Sequence, residues 1–288
     1  MAKHFLTGAE LTTEEQRRLL DRAVELKADR LGSRALEGRS VALVFDKPST
    51  RTRVSFETGV YELGGNAVVL RQGELQMARG ESPRDVALVL SRMVHAIGVR
   101  TGPHELVEEL AQHSSVPVIN MLTQEHHPCQ ALADLMTLLE RFGTLGGLKL
   151  AYVGDGNNMA RSLMIAAEIA GVEVAVASPA ELSLPGVPVV EPSEAVRGAH
   201  ALYTDVWVSM GDEEDAERRR RLLAPYRIDA DLLAQARDDA IVLHCLPAHP
   251  GEEITEDMLY GERSAAWDEA ENRLHAQKAL LELLLFAA

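Results

Sequence analysis

The stretch SVALVFDKPSTRTRVSFETG, residues 40–59, decides how the fold is read. SVALVF is an apolar run of strand length, and the Ser and Thr residues after it are the usual spelling of a helix start. A strand that hands over to a helix in this way leaves the first-turn N–H groups without intrahelical partners. Those donors point past the end of the strand. Together with the positive end of the helix dipole and the hydroxyls of Ser49, Thr50 and Thr52, they suit a phosphate or a similar dianion. Three cations, Lys47, Arg51 and Arg53, crowd the same turn in a chain of formal net charge −15. Arg51 can add a bidentate fork to two phosphate oxygens. Arg51 and Arg53 are two apart and diverge on a helix, so one can face an anion while the other braces the fold. An ordinary capped helix with surface arginines would use the same residues.

Working outward, strands and helices alternate in two series. Thr12 with Glu15 predicts a capping box before LLDRAVELKADRLG, and Ser82-Pro83-Arg84-Asp85 predicts an N-cap, a proline at N1 and an acid at N3. NAVVL (66–70), HAIGV (95–99) and VPVI (116–119) read as strands, with a helix over HELVEELAQH (104–113). After HHPCQ, a long striped helix, ALADLMTLLERFG, ends at a glycine. KLAYV (149–153) opens the second series, followed by VEVAVAS (172–178), VPVV (187–190), ALYTDVW (201–207) and AIVLHC (241–245). The pattern predicts an α/β chain of two domains, each a mainly parallel sheet flanked by helices. The expected bounds are 1–130, joined by a C-terminal helix of about 267–288, and 145–266, with 131–144 as a linking helix. GDEEDAERRRR (211–221) pairs Glu214–Arg218, Asp215–Arg219 and Glu217–Arg221 at i,i+4, the spelling of a solvated helix face.

The 288 residues carry 29 Lys and Arg against 44 Asp and Glu, which argues against nucleic acid or an anionic membrane as the main partner. Two cysteines far apart make neither a disulfide framework nor a metal knuckle, and no metal or organic cofactor is expected. MAKHFLTGAE lacks a signal-peptide core, and no apolar run is long enough for a membrane span. The expectation is a cytoplasmic protein acting on small molecules.

Further motifs carry chemistry. In HHPCQ, a helix opening at Pro128 places His127 and Gln130 on one side, suited to a carbonyl and its NH2 group. A capping His and a surface Gln would be spelled alike; Cys129 between them turns into packing. VGDGNNMARS (153–162) invites a dinucleotide reading, but Met159 replaces the third glycine and the next strand ends in Ser178-Pro179 without the ribose-binding acid. Asn157 and Asn158 read better as amides facing a polar ligand. In TDVWVSMG, Asp205 stands at a strand end and could pair with an ammonium, with Ser209 and Met210 in the loop after it; a lone acid there is also an ordinary turn cap. HCLP (244–247) follows another strand, and His244 and Cys245, as strand neighbours, face opposite ways, which argues against a His-activated thiol nucleophile.

In order, KPSTRTR, RGES, HHPCQALAD, GDGNN, DVWVSMG, HCLP and EAENRLHAQKALL resemble the aspartate/ornithine carbamoyltransferase family over almost the whole chain, on its ornithine side. The resemblance implies that carbamoyl phosphate is bound through Ser49, Thr50, Arg51, Thr52, Gln76, Arg100, His127, Gln130, Cys245, Leu246 and Arg273, most of them in the first domain. It implies that the second domain binds ornithine through Asn158, Asp205, Ser209 and Met210. Arg51, Arg100, His127 and Cys245 would be catalytic. Aspartate-specific relatives carry an arginine after HPLP, where this chain has Ala248 and His249. Acetylornithine and putrescine remain alternative acceptors. A homotrimer is implied; one departure from the family pattern is the segment between Ser178 and Asp205, which is compact for the family.

Overall fold

A computed structural model describes residues 2–208 and 213–286. The chain divides into two compact units. One comprises the residues up to Met136 together with those from Glu271 onward, and the other is Thr137–Ala270.

The first unit holds four strands, β1 (Ser40–Phe45), β2 (Asn66–Arg71), β3 (Ala96–Arg100) and β4 (Val118–Leu122), in the order β2-β1-β3-β4. All neighbours are parallel, with Phe45 in register with Arg71 on one side and Arg100 on the other. Its helices are α1 (Thr13–Ala28), α2 (Thr50–Glu62), α3 (Pro83–Leu90) and α4 (His104–His113), and α5 (Pro128–Phe142) carries the chain on into the second unit. The Thr12 capping box and the Ser82 N-cap both form. Apolar side chains of β1, β3 and α4, among them Ala42, Val44, Ile97, Val99, Val107 and Leu110, make a buried core.

The second unit repeats the plan with β5 (Lys149–Val153), β6 (Glu173–Ala177), β7 (Ala201–Thr204) and β8 (Ile241–His244), again all parallel and ordered β6-β5-β7-β8. Around them lie α6 (Asn158–Ala170), α7 (Pro192–Ala195), α8 (Ala216–Leu223), α9 (Ala230–Leu233) and α10 (Glu256–Tyr260), before α11 (Ala266–Phe286) returns the chain to the first unit. Ala151, Val153, Leu202 and Val242 centre its core.

Three expectations need correction. VPVV (187–190) is not a strand; it is irregular chain before α7. Pro188 has no N–H for a ladder, and an apolar run without a strand partner carries no strand signal of its own. β7 stops at Thr204, so Asp205 stands just beyond the strand. The acid–arginine pattern of α8 is also only partly a solvated face. Asp215 pairs with Arg218 at i,i+3 and with the expected Arg219 at i,i+4 (4.0 Å), but Arg219 also turns inward to the buried Asp155 at 2.8 Å.

In each sheet the chain leaves a central strand, crosses to one side, then returns to the other side. The gaps beyond the C-terminal ends of β1 and β3, and of β5 and β7, are therefore topological switch points, where open α/β sheets collect ligands.

Candidate active site

At the first switch point, β1 runs through Asp46 into α2. Ser49 takes the N-cap position with extended backbone (φ −156°, ψ 109°), yet its hydroxyl makes no capping hydrogen bond. No acid lies in the first turn of α2. The helix start therefore keeps its positive end open, with the exposed Arg51 beside it. Arg53 diverges from Arg51 and pairs with Glu57 at 2.8 Å, so it is the bracing arginine of the two.

Thr52, one turn position further, is buried and receives two guanidiniums. Its Oγ1 accepts from Arg100 Nη1 at 3.3 Å and from Arg273 Nη2 at 2.8 Å. Arg100 ends β3 and Arg273 lies on α11, so strand, helix and C-terminal helix meet on one hydroxyl. Arg273 also donates to Gln130 Oε1, and Gln130 Nε2 donates to Asp134 Oδ1 at 2.8 Å. His127, immediately before α5, is buried. Burial first, then the cations Arg273, Arg100 and Arg51, hold its imidazole well below the ordinary histidine value. At neutral pH it is an uncharged ring able to donate one N–H. Cys129 packs inside as expected: its thiol donates to the Asn120 carbonyl, and burial pushes it up to about 12. Gln76 is exposed on the 3-10 turn Gln76–Arg79.

The second switch point has the opposite character. Asn157 is the N-cap of α6, and its Oδ1 accepts from the N–H groups of Met159 (2.9 Å) and Ala160 (3.2 Å). The helix start is closed by its own cap. Asn157 is thus not the ligand-facing amide expected from the sequence; Asn158, the first residue of α6, is partly exposed. The Tyr152 hydroxyl also donates to Asn157 Oδ1 at 3.0 Å, and burial, reinforced by Asp205 and Asp155, keeps that phenol well above its ordinary value and so protonated. Gly156 of GDGNN serves packing: a Cβ there would lie 2.4 Å from the Leu182 carbonyl oxygen, so the turn admits backbone where a dinucleotide fold would admit pyrophosphate.

Asp205 is the centre of this half. Its Oδ2 accepts from Asn157 Nδ2 at 2.8 Å, and its Oδ1 from Val206 N at 2.8 Å and Cys245 Sγ at 3.0 Å. A carboxylate offers about four acceptor positions, so three donors fix its orientation and leave room for an incoming ammonium. His244 Nε2 meets Glu253 Oε1 at 3.2 Å, yet a ring nitrogen of His244 also lies within 4.8 Å of the Cys245 thiol and of Asp205, so the two neighbours do not face opposite ways as the strand alternation predicted. Leu246 is held with φ at +57°, a left-handed conformation that costs a non-glycine residue about 1–3 kcal/mol. Ser209 and Met210 lie outside the described residues. A groove of about 490 Å3 along α6, lined by Met164, Ile165, Val174 and Leu184, contains no member of either cluster.

Residues 3–140 match the family model described as aspartate/ornithine carbamoyltransferase, carbamoyl-P binding domain, and residues 146–284 match the Asp/Orn binding domain of the same family. The chain belongs to the aspartate/ornithine carbamoyltransferase family. Among carbamoyltransferase relatives, the ornithine carbamoyltransferase of Acidothermus cellulolyticus is 54% identical over 306 aligned residues, covering 100% of this chain and 98% of the relative. The solved structure of ornithine carbamoyltransferase from Pyrococcus furiosus superposes with a TM-score of 0.94 at 45% identity, over 100% of this chain and 98% of that one. The Thermus thermophilus enzyme of the same name gives 0.92 at 45% identity, with 99% of each chain covered. Family membership explains why sequence reasoning reached Arg273 only through resemblance: nothing local marks an arginine inside a striped helix. It missed Asp134 behind Gln130, although that pair is at i,i+4, and Tyr152, whose partner Asn157 is five residues on; it also missed Arg219, whose partner Asp155 is distant in sequence.

Proposed function

We propose that this carbamoyltransferase moves the carbamoyl group of carbamoyl phosphate onto the δ-amine of L-ornithine, giving L-citrulline and phosphate. The observation that carries the reading is the Thr52 hydroxyl shared by two buried guanidiniums beside an uncharged His127 and an uncapped helix start. In this reading the phosphate rests on the first turn of α2, with Ser49, Thr50, Thr52 and the Arg51 fork. Arg100, Thr52 and His127 face the carbonyl oxygen and stabilise the negative charge that develops there. Gln130, fixed by Asp134 and Arg273, reads the carbamoyl NH2. Gln76, exposed on its turn, completes the anion contacts.

Asp205 takes the α-ammonium of ornithine, with Asn158, Ser209 and Met210 completing that subsite and Cys245 and Leu246 lining it. The attacking amine must be uncharged. With a lysine-like pKa of about 10.4, holding it so at pH 7 costs about 4.6 kcal/mol. The guanidiniums of Arg51, Arg100 and Arg273 lower that cost by disfavouring a further cation. The amine lone pair attacks the carbonyl carbon, the carbon–oxygen bond to phosphate breaks, and the departing phosphate takes the amine proton. Much of the remaining rate comes from holding two small substrates in line.

We also propose that the domain matched by residues 3–140 binds carbamoyl phosphate, that the enzyme works in the cytoplasm in arginine metabolism, and that it is a homotrimer. The exposed Val54, Tyr61, Leu88, Val89 and Met93 of the first unit support self-association, and mass photometry will read the state directly. No helix among the described residues is long and apolar enough to cross a membrane. A colorimetric citrulline assay with ornithine, acetylornithine, putrescine and aspartate as acceptors tests the reading: ornithine is expected to dominate, and equal or faster turnover of any other acceptor would overturn it.

A further inference from the structure

Glu253 lies between β8 and α10 and is completely buried, although it belongs to neither cluster described above. Its Oε1 accepts from His244 Nε2 at 3.2 Å and also from the His249 backbone N–H. The other face of the same imidazole is set by the main chain: Leu246 N–H donates to His244 Nδ1 at 2.9 Å. A backbone N–H can only donate, so Nδ1 must be unprotonated, and the single ring proton sits on Nε2 and meets Glu253. A ring protonated at both nitrogens would set N–H against N–H at Leu246. The backbone N–H of His244 is anchored in turn by Glu269 Oε2 at 2.8 Å, and Glu269 Oε1 accepts from the Tyr203 hydroxyl.

The bonds bracket one short segment. From His244 to His249, one buried carboxylate fixes both flanks, and the ring it orients holds the amide of Leu246. Leu246 is the non-glycine residue with positive φ among the described residues, and a residue before proline prefers extended backbone. The conformation therefore needs an outside constraint, and the Glu253–His244–Leu246 relay supplies it. Cys245, inside the bracket, is the residue whose thiol helps orient Asp205.

We infer that Glu253 is a positioning residue for carbamoyl transfer, acting through the His244 tautomer to hold Leu246 and Cys245 against the ornithine subsite; this rests on the reading proposed above. The relay touches no reacting atom. Removing it lets Leu246 relax toward extended backbone, which moves the Cys245 thiol off Asp205 and loosens the subsite without emptying it.

The experiment compares wild type, Glu253→Ala and Glu253→Gln at a temperature where circular dichroism shows all three folded. Glu253→Ala is expected to lose at least tenfold in kcat, with the KM for carbamoyl phosphate within twofold of wild type. Glu253→Gln, whose carboxamide oxygen can still accept from His244 and His249, is expected to keep at least a third of the wild-type kcat. Nitrogen-15 spectra of labelled histidine, with the His244 signal assigned by its loss in His244→Asn, should show one Nε2–H tautomer in wild type and a mixture in Glu253→Ala. Should Glu253→Ala fail to fold, Glu253→Asp withdraws the carboxylate by one methylene and must show the same loss in kcat. Wild-type citrulline formation with Glu253→Ala within twofold in kcat would overturn the inference and leave the transfer reading intact. A mixed tautomer in wild type would overturn it whatever the activity. Absence of citrulline from the wild type would overturn the reading, and the inference with it.

Discussion

The two units share a strand order and a switch point, yet they equip the helix after the first central strand in opposite ways. At α2 the N-cap hydroxyl is idle, the first turn carries arginines, and two buried guanidiniums converge on Thr52. At α6 the N-cap amide satisfies the helix from within and at the same time holds a carboxylate, Asp205. One helix start lacks a side-chain cap and the other is closed by its own; in the reading proposed above, the first receives an anion and the second lets an acid face a cation. On that reading a parallel sheet supplies a place for a ligand, while the cap and the charges around it choose the ligand's sign.

If that contrast is right, Arg51→Ala should cause the largest loss. Removing charge-assisted bonds worth about 1.5–3 kcal/mol each should raise the KM for carbamoyl phosphate on the order of a hundredfold or more. Steady-state kinetics that saturate as in the wild type would break the comparison on its anionic side. Next comes Asp205→Asn, which keeps the shape and removes the charge. It should cost kcat/KM for ornithine by tens to about a hundredfold, with carbamoyl phosphate binding untouched, as measured by calorimetry. A smaller effect is expected from Asn157→Ala, which takes the cap from α6 and a partner from Tyr152 and Asp205. Chemical denaturation should show about 1–3 kcal/mol of lost stability, whereas Ser49→Ala, which removes an idle cap, should cost much less.

The smallest prediction concerns pH. Burial holds His275 of α11 at about 4, below the ordinary 6.5. Between those values the unfolded chain binds a proton that the folded chain does not, so this contribution to stability is complete above 6.5 and is lost as pH falls toward 4. His275→Gln should make denaturation midpoints less steep in pH over that window; an unchanged slope would remove His275 from the account.

Much of the fold was legible because strands buried on both faces of a parallel sheet read as apolar runs, and β1 and β5 occupy the stretches SVALVF and KLAYV. VPVV failed for the same reason in reverse, since an apolar run does not reveal whether a neighbouring strand is there to pair with. For one half of the candidate site, the helix start with its arginines was legible in STRTR because hydroxyls, arginines and a helix start are local. The other half depends on contacts such as Asn157 with Asp205 and Cys245 with Asp205, which only the folded sheet brings together. GDGNN misled in its first asparagine because a cap and a ligand amide are the same chemical group.

The most direct test is a crystal structure with carbamoyl phosphate bound. The account predicts the phosphate oxygens on the first-turn N–H groups of α2 and on Arg51, with the carbonyl oxygen within hydrogen-bonding reach of His127. Phosphate seated instead at the Gly154–Asn157 turn, or a carbonyl group turned away from His127, would contradict it.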